Sequence, residues 1–418
     1  MFKTLKNAWS VPELRKKIIF TLWMFALVRI GAHVPVPGID PIAVEQVLGQ
    51  NSNGMLGLMN AITGGAFSQM ALFAFGVGPY ITASIIIQLL TIAITRLEEL
   101  SKEGEDGRKK INKYTRYVTL VLAMMQAGGT TYMLYQSNVL VEKNMLVFAL
   151  AFISFIAGSM LVMWIGEQIT EKGIGNGISL IIFINIVSRL PQGAISLLAY
   201  DNYVKVAILV LLFVVMIGFT VLMSLGERRI SVQYAKRVAG RKVYGGQSQS
   251  IPIKVNLAGV LPVIFAMSLI QFPETVTNLF VKTPSEFWQT AIQWLRWTHP
   301  FGAVLYVVLI FAFAFFYSTI AFNPMDIAAN LKKGGGFIPG IRPGKPTSDY
   351  LSKTATHITL MGAIFLAILA LSPLVLGAIF KMSVQFGGTS LLIVVGVALE
   401  TVKQLESQML MRHYKGFL

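Results

Sequence analysis

From Pro339 to Thr347 the chain reads PGIRPGKPT, which sets glycine, lysine and threonine at nearly the spacing of a phosphate-binding loop. Such a loop cradles phosphates on glycine-rich backbone N–H groups, with a lysine on the outer phosphates and a Ser or Thr hydroxyl on the metal. The pattern requires Gly at the position of Pro339 and Ser or Thr at that of Pro346, and no strand precedes the segment. Nucleotide hydrolysis is therefore not expected of this chain. The HExxH and GxSxG patterns are absent as well. There is no cysteine, which excludes a disulfide, a thiolate metal site and a cysteine nucleophile. The four histidines, His33, His299, His357 and His413, are scattered without ligand spacing. We expect no catalytic residues, no cofactor and no metal; if transport needs ATP, a partner must hydrolyse it.

A different chemistry is offered by branched apolar side chains. Ile81 and Ile85 in GPYITASIIIQLL lie four apart, on one face of a helix, and Ile182 and Ile186 in NGISLIIFINIV repeat that spacing. LPVIFAMSLIQFP and GGTSLLIVVGVAL are similar apolar stretches later in the chain. A passage lined by Ile, Gly, Ser, Thr and Asn would seal by apolar contact and hold nothing tightly, which suits a varied polymer better than a small ion. Isoleucine on a membrane helix ordinarily faces lipid or core, so spacing alone does not single these residues out.

The elements that carry them must be membrane spans. Of 418 residues, 55% are hydrophobic and only 13% charged, with a mean hydropathy of +0.66. Soluble domains carry roughly a quarter charged residues, so lipid must solvate much of this surface. Ten candidate spans follow, approximately at 18–34, 72–94, 117–135, 145–165, 174–187, 204–225, 257–272, 301–322, 358–380 and 388–402. The first is read as a retained span, since no small-residue cleavage site follows it. Of the 35 Lys and Arg, 28 then fall on the side of the N-terminus, six on the other, and Arg29 within span 1. That asymmetry marks the first side, with both termini, as cytoplasmic. Transporters coupled to ions place Asp, Glu or His inside spans; here the spans hold almost none, with His33 at the end of span 1 and Glu400 near the end of span 10.

Two cytoplasmic loops exceed what a topology signal needs. The loop after span 8 includes LKKGGGFIPGIRPGKPTSDY, where Gly and Pro brace a basic protrusion; the loop after span 6 includes ERRISVQYAKR. Part of the net charge of +16 sits here and suits an anionic partner: an acidic protein face, RNA phosphate or lipid headgroups. Between spans 1 and 2, NSNGMLGLMNAITGGAFSQM is uncharged, glycine-rich and too short to cross. It reads either as a re-entrant, plug-like segment or as a loop lying on the outer surface.

Taken together, PYITASIIIQLL, RLEELSKEGEDGRKKINKYTRY, ITEKGIGNGISLIIF, ERRISVQYAKR, GGQSQSIPIKVNLAGVLPVIFA, NPMDIAANLKKGGGFIPGIRPGKPTSDYL and GGTSLLIVVGVALE resemble, in order and over nearly the whole chain, the SecY family. This is the family of channel-forming subunits of the bacterial Sec protein translocase. The resemblance implies an all-α polytopic membrane protein of the bacterial cytoplasmic membrane, with ten transmembrane helices in two pseudo-symmetric halves around an hourglass pore. The halves would be residues 1–190 (spans 1–5, plug about 55–66) and 191–418 (spans 6–10, docking loops about 227–256 and 326–357). It implies a lateral gate between spans 2 and 7 and a pore ring of Ile81, Ile85, Ile182, Ile186, Ile264 and Ile393. The plug would include Met55, Leu56, Leu58, Met59, Ile62 and Gly64, which favours the re-entrant reading. Arg342 would be the key docking residue, with Lys236, Arg237 and Arg241 on the companion loop. Implied partners are the SecE and SecG subunits, the SecA ATPase, the ribosome with its RNA, signal sequences and preproteins, and membrane lipid. An inverted-repeat secondary transporter of a small solute is the alternative reading.

Overall fold

A computed structural model of the chain describes residues 8–40, 43–44, 60, 63–137, 139–142, 144–198, 203–234, 237–239, 242–244, 248–257, 259–280, 286–296, 299–380 and 388–415. The chain forms two compact units. Unit 1 comprises Met1–Val206, Gln271–Ile292 and Ile393–Leu418; unit 2 comprises Ala207–Ile270 and Gln293–Leu392.

Unit 1 begins with α1 (Pro12–Gly31), whose proline stands where the first turn has no use for an N–H. Helix α2 (Gly78–Ala93) likewise opens on a Gly-Pro pair. It stops at Ile94, whose extended backbone (φ −114°, ψ 111°) throws α3 (Thr95–Lys102) off at 103°. Gly104 then turns the chain at φ +78° into α4 (Glu105–Gln136), with Glu105 and Asp106 in its positive first turn. Helix α4 buries Gly107, Thr115, Thr119, Ala123, Ala127 and Thr131, a stripe of small residues at multiples of four. Small residues on one face let helix backbones approach closely where lipid provides no hydrophobic drive, and α4 packs against both α2 and α5 (Met145–Lys172). Arg116 Nε on α4 donates to Glu167 Oε1 on α5 at 2.8 Å. Asn144 caps α5 and Asn176 caps α6 (Gly177–Val187), each side chain accepting a first-turn N–H. Helices α5 and α6 cross at Gly166 and Gly177, where a methyl on Gly177 would fall on the Gly166 carbonyl. Helix α7 (Leu190–Leu198) follows. The turns at 63–77 wedge Phe67, Met70 and Phe75 into a core with Val36, Ile39, Leu134 and Phe155. There the rings of Phe75 and Phe155 lie 5.1 Å apart.

A single hydroxyl ties α1 to the start of α6. Buried Thr21 donates to Lys17 O at 2.9 Å and accepts the buried N–H of Ile174 at 3.2 Å. A Thr21→Val exchange keeps the shape and orphans that N–H. We expect it to cost about 1–3 kcal/mol and to lower the melting temperature relative to Thr21→Ser, which retains the acceptor.

Unit 2 takes up most of α8 (Tyr203–Leu225) and the basic loops. Strand β1 (Glu227–Tyr234) pairs antiparallel with β4 (Ser248–Lys254), from Glu227 opposite Lys254 to Gln233 opposite Ser248. Its other edge takes β5 (Gly336–Phe337), with Gln233 opposite Phe337 and Tyr234 opposite Gly336. The sheet order is thus β4-β1-β5, and β2 (Arg237–Ala239) and β3 (Lys242–Tyr244) form a separate hairpin. Ile230, Val232 and Ile253 turn inward onto Leu331, Ile338, Leu351 and Ile358, a core under the sheet distinct from the one between the long helices. The latter joins the start of α9 (Leu261–Phe280), α11 (Pro300–Ala321), α13 (Lys345–Phe380) and the first turn of α14 (Gly388–Lys415) through Val263, Ala266, Tyr306, Ile310, Phe365, Leu369 and Leu392. Short α12 (Pro324–Lys333) lies between α11 and β5 in the chain, its first turn capped by Asn323. An amphipathic helix, α10 (Glu286–Leu295), follows α9 in the chain and exposes Phe287 and Trp294.

The helical class therefore stands, with a sheet that the sequence reading did not anticipate confined to the loops. Each of the ten expected spans falls on a helix. By length and apolarity alone, the described residues contain four that can cross a membrane: Met145–Lys172, Tyr203–Leu225, Pro300–Lys333 and Lys345–Gly377. The bent pair α2–α3 makes a fifth. The remainder fall short for visible reasons. Helices α1 and α4 carry their charges within the helix, and the apolar parts of α6 and α9 are short.

Candidate functional site

Five of the six singled-out isoleucines belong to unit 1. Ile81 and Ile85 stand one turn apart on α2, the first half-buried and the second 8% exposed. Ile182 and Ile186 do the same on α6, at 6% and 2%, and Ile393 on α14 is 6% exposed. Ile85, Ile182, Ile186 and Ile393 are thus enclosed by protein, whereas the exposed apolar surface of the same unit is made by residues such as Ile19, Trp23, Leu146, Ile153 and Trp164. The sixth, Ile264, is on α9 in unit 2 and half-buried. Its carbonyl accepts Ser268 Oγ at 2.9 Å.

The basic protrusion of unit 2 is braced by packing, by backbone hydrogen bonds and by turn glycines. Between β5 and α13 the chain runs through Ile338, buried in the core under the sheet, with Ile341 packed against it. Ile341 N donates to Ile338 O at 3.0 Å, and Ser348 N to Gly344 O at 3.1 Å. Gly340 and Gly344 take φ +81° and +103°, a region that L side chains avoid. Arg342 sits between them, its side chain exposed while its carbonyl accepts the buried Thr347 hydroxyl at 2.8 Å. Lys332 and Lys333 in the last turn of α12 and Arg228 and Arg229 on β1 are exposed in the same unit, Arg229 paired with Glu227. Of the companion residues, Arg237 lies on β2, while Lys236 and Arg241 fall outside the described residues. So do the plug candidates Met55, Leu56, Leu58, Met59 and Ile62. Gly64 is described: it turns at φ +66° and accepts Arg29 Nη1 on its carbonyl at 3.2 Å. The sequence reading assigned Arg29 no partner, because nothing in a local pattern links residues 35 apart.

The SecY family model matches residues 71–402. The chain belongs to the SecY family. It is 45% identical to the protein translocase subunit SecY of Streptomyces griseus, with both chains covered in full. It is 41% identical to that of Thermotoga maritima, covering all of this chain and 98% of the relative. In three dimensions it is similar to a solved protein-conducting channel (TM-score 0.64, 17% identity, 97% of each chain). It is also similar to Sec61 of a canine ribosome–channel complex (TM-score 0.61, 15% identity, 97% of each chain). At that identity these two speak for the fold alone. The fold they share with this SecY-family chain is that of a multi-pass membrane channel.

Proposed function

We propose that this chain is the central subunit of a protein-conducting channel. It translocates unfolded secretory polypeptides across the bacterial cytoplasmic membrane and releases membrane segments sideways into lipid. The carrying observation is the similarity at 41–45% identity, over the whole chain, to translocase subunits SecY. In this reading the six isoleucines form the neck of the pore. Branched apolar chains close against water and ions, deform around a threading side chain, and give it no fixed polar partner. The burial of Ile85, Ile182, Ile186 and Ile393 supports an inward role. The glycine-rich stretch ending near Gly64 acts as the plug. Residues 1–190 and 191–418 act as the two halves, with the lateral gate between α2 and α9. Through it hydrophobic segments leave, because removing apolar area from water is worth about 25 cal/mol per Å2. SecE and SecG complete the channel, and SecA or a translating ribosome drives it. The docking loops around Arg342 face the cytoplasm with both termini.

Among the described residues no buried side chain is Asp, Glu or His, the groups that the secondary-transporter reading would require. The test is photo-crosslinking of a stalled secretory chain from probes placed at Ile81 and Ile264. Adducts at both positions, lost when the signal sequence is deleted, are expected. Adducts at neither position, with export intact, would place the passage elsewhere.

A further inference from the structure

Arg29, in the last turn of α1, and Arg189, just beyond the end of α6, converge on two consecutive glycines of unit 1. A Cβ on Gly64 would lie 2.6 Å from Arg29 Nη1 and 3.0 Å from Asn185 O; one on Gly65 would lie 3.0 Å from Arg189 Nη2. Both glycines have positive φ, +66° and +96°. The turn they form is internally closed. Gly65 N donates to Asn60 O, Ser68 N to Asn60 Oδ1, and Ser68 Oγ to Gly65 O. The glycine pair is thus a bare floor, with one guanidinium group against each glycine.

Among the described residues, no ion pair involves either arginine. Among the described residues, the Arg29 side chain has one acceptor, the neutral Gly64 carbonyl. Arg189 Nε is buried without a hydrogen-bond partner. One helical turn before it, Asn185 Oδ1 is also buried and unpartnered. Both arginines are only half-buried, so a ligand can reach them. Two adjacent cations with an orphaned donor cost free energy that a neutral loop would not. A tetrahedral oxyanion between them relieves the repulsion, since guanidinium forks match phosphate oxygens two at a time.

We propose that Arg29 and Arg189 form a binding site for a phosphate group. Two sources share this chemistry: the glycerophosphate headgroup of an anionic phospholipid, and free hydrogen phosphate. The site does not depend on the transport reading, because occupancy can be read with no polypeptide in transit.

The chain has no cysteine, so Gln69→Cys, at an exposed position beside the site, takes a single environment-sensitive dye. The labelled full chain, in nanodiscs of phosphatidylcholine, is titrated with dihexanoyl phosphatidylglycerol and, separately, with inorganic phosphate. A saturable signal is expected. Saturation by the lipid alone assigns the headgroup, and saturation by both assigns the phosphate group irrespective of its source. R189Q should weaken binding at least tenfold. R189K, which keeps the charge but loses the fork, should give an intermediate loss and guards against misfolding of the first variant. R96Q, which removes an equal charge at an exposed remote position, should titrate like the parent. Absence of saturation with both ligands, or equal binding by R189Q and R189K to the parent, overturns the proposal.

Discussion

Replacing Ile85, Ile186 and Ile264 together by asparagine is expected to make vesicles containing the channel leak small anions at least tenfold faster. An apolar neck stays dry because wetting it exposes apolar side chains to water, and burial of one such side chain is worth about 1.5–3 kcal/mol. Amides at three positions lower that barrier by several kcal/mol, and about 1.4 kcal/mol already corresponds to tenfold. The rival explanation is that these isoleucines are ordinary core. It is a serious one, since Ile85 and Ile186 are 8% and 2% exposed. Core isoleucines also punish substitution, at about 2–5 kcal/mol for truncation to alanine. The two readings separate because they move different observables. A core role lowers the melting temperature and leaves a surviving folded fraction tight. A neck role raises iodide or chloride influx at temperatures where the fold persists. Influx unchanged while the melting temperature collapses would remove the isoleucine neck from the mechanism.

What the sequence made legible follows from which forces are local. Spans are set by apolar runs and stopped by glycine, proline and charge, so all ten fell on helices. The spacing of Ile182 and Ile186 fixed their shared face, but which face turns inward depends on what packs there. Glycine at 166 and 177 lets α5 and α6 meet, and that is a property of two helices together, not of either sequence pattern alone. The sheet was half-visible. Ile230 and Val232 alternate with polar neighbours, and Ile251 and Ile253 stand two apart across Pro252, which is the period of a strand with one buried face. Reading the loops for charge and turn residues obscured that alternation. The third strand, β5, is two residues long and carries no pattern; only its register against Gln233 and Tyr234 defines it. In the sequence the glycines at 64 and 65 stand out only as part of a glycine-rich stretch. Their use as the floor beneath Arg29 and Arg189 depends on chain closure across 35 and 124 residues.

Reversing the charge at Arg342 should lower SecA-driven, ATP-dependent export into vesicles at least tenfold without moving the melting temperature. The stability side follows from exposure: a surface side chain away from caps and cores changes folding by about 0.5 kcal/mol at most. The functional side follows from the mounting. Arg342 is presented on a loop fixed at Ile338, at two glycines of positive φ and at the Thr347 hydroxyl, so little ordering entropy is lost when it docks. That reasoning makes a second, independent demand. Thr347→Val leaves every charge in place and removes only the staple to the Arg342 carbonyl. If rigidity matters, this variant should also lose export, by less than Arg342→Glu. If charge alone matters, it should behave as the parent. Ribosome binding gives a third reading. If the contact is to RNA phosphate, Arg342→Gln should reduce the slope of log affinity against log salt by about one. Arg342→Lys should preserve the slope while losing the bidentate fork. Normal export by Arg342→Glu, with SecA limiting, would show that the protrusion is braced for some other purpose.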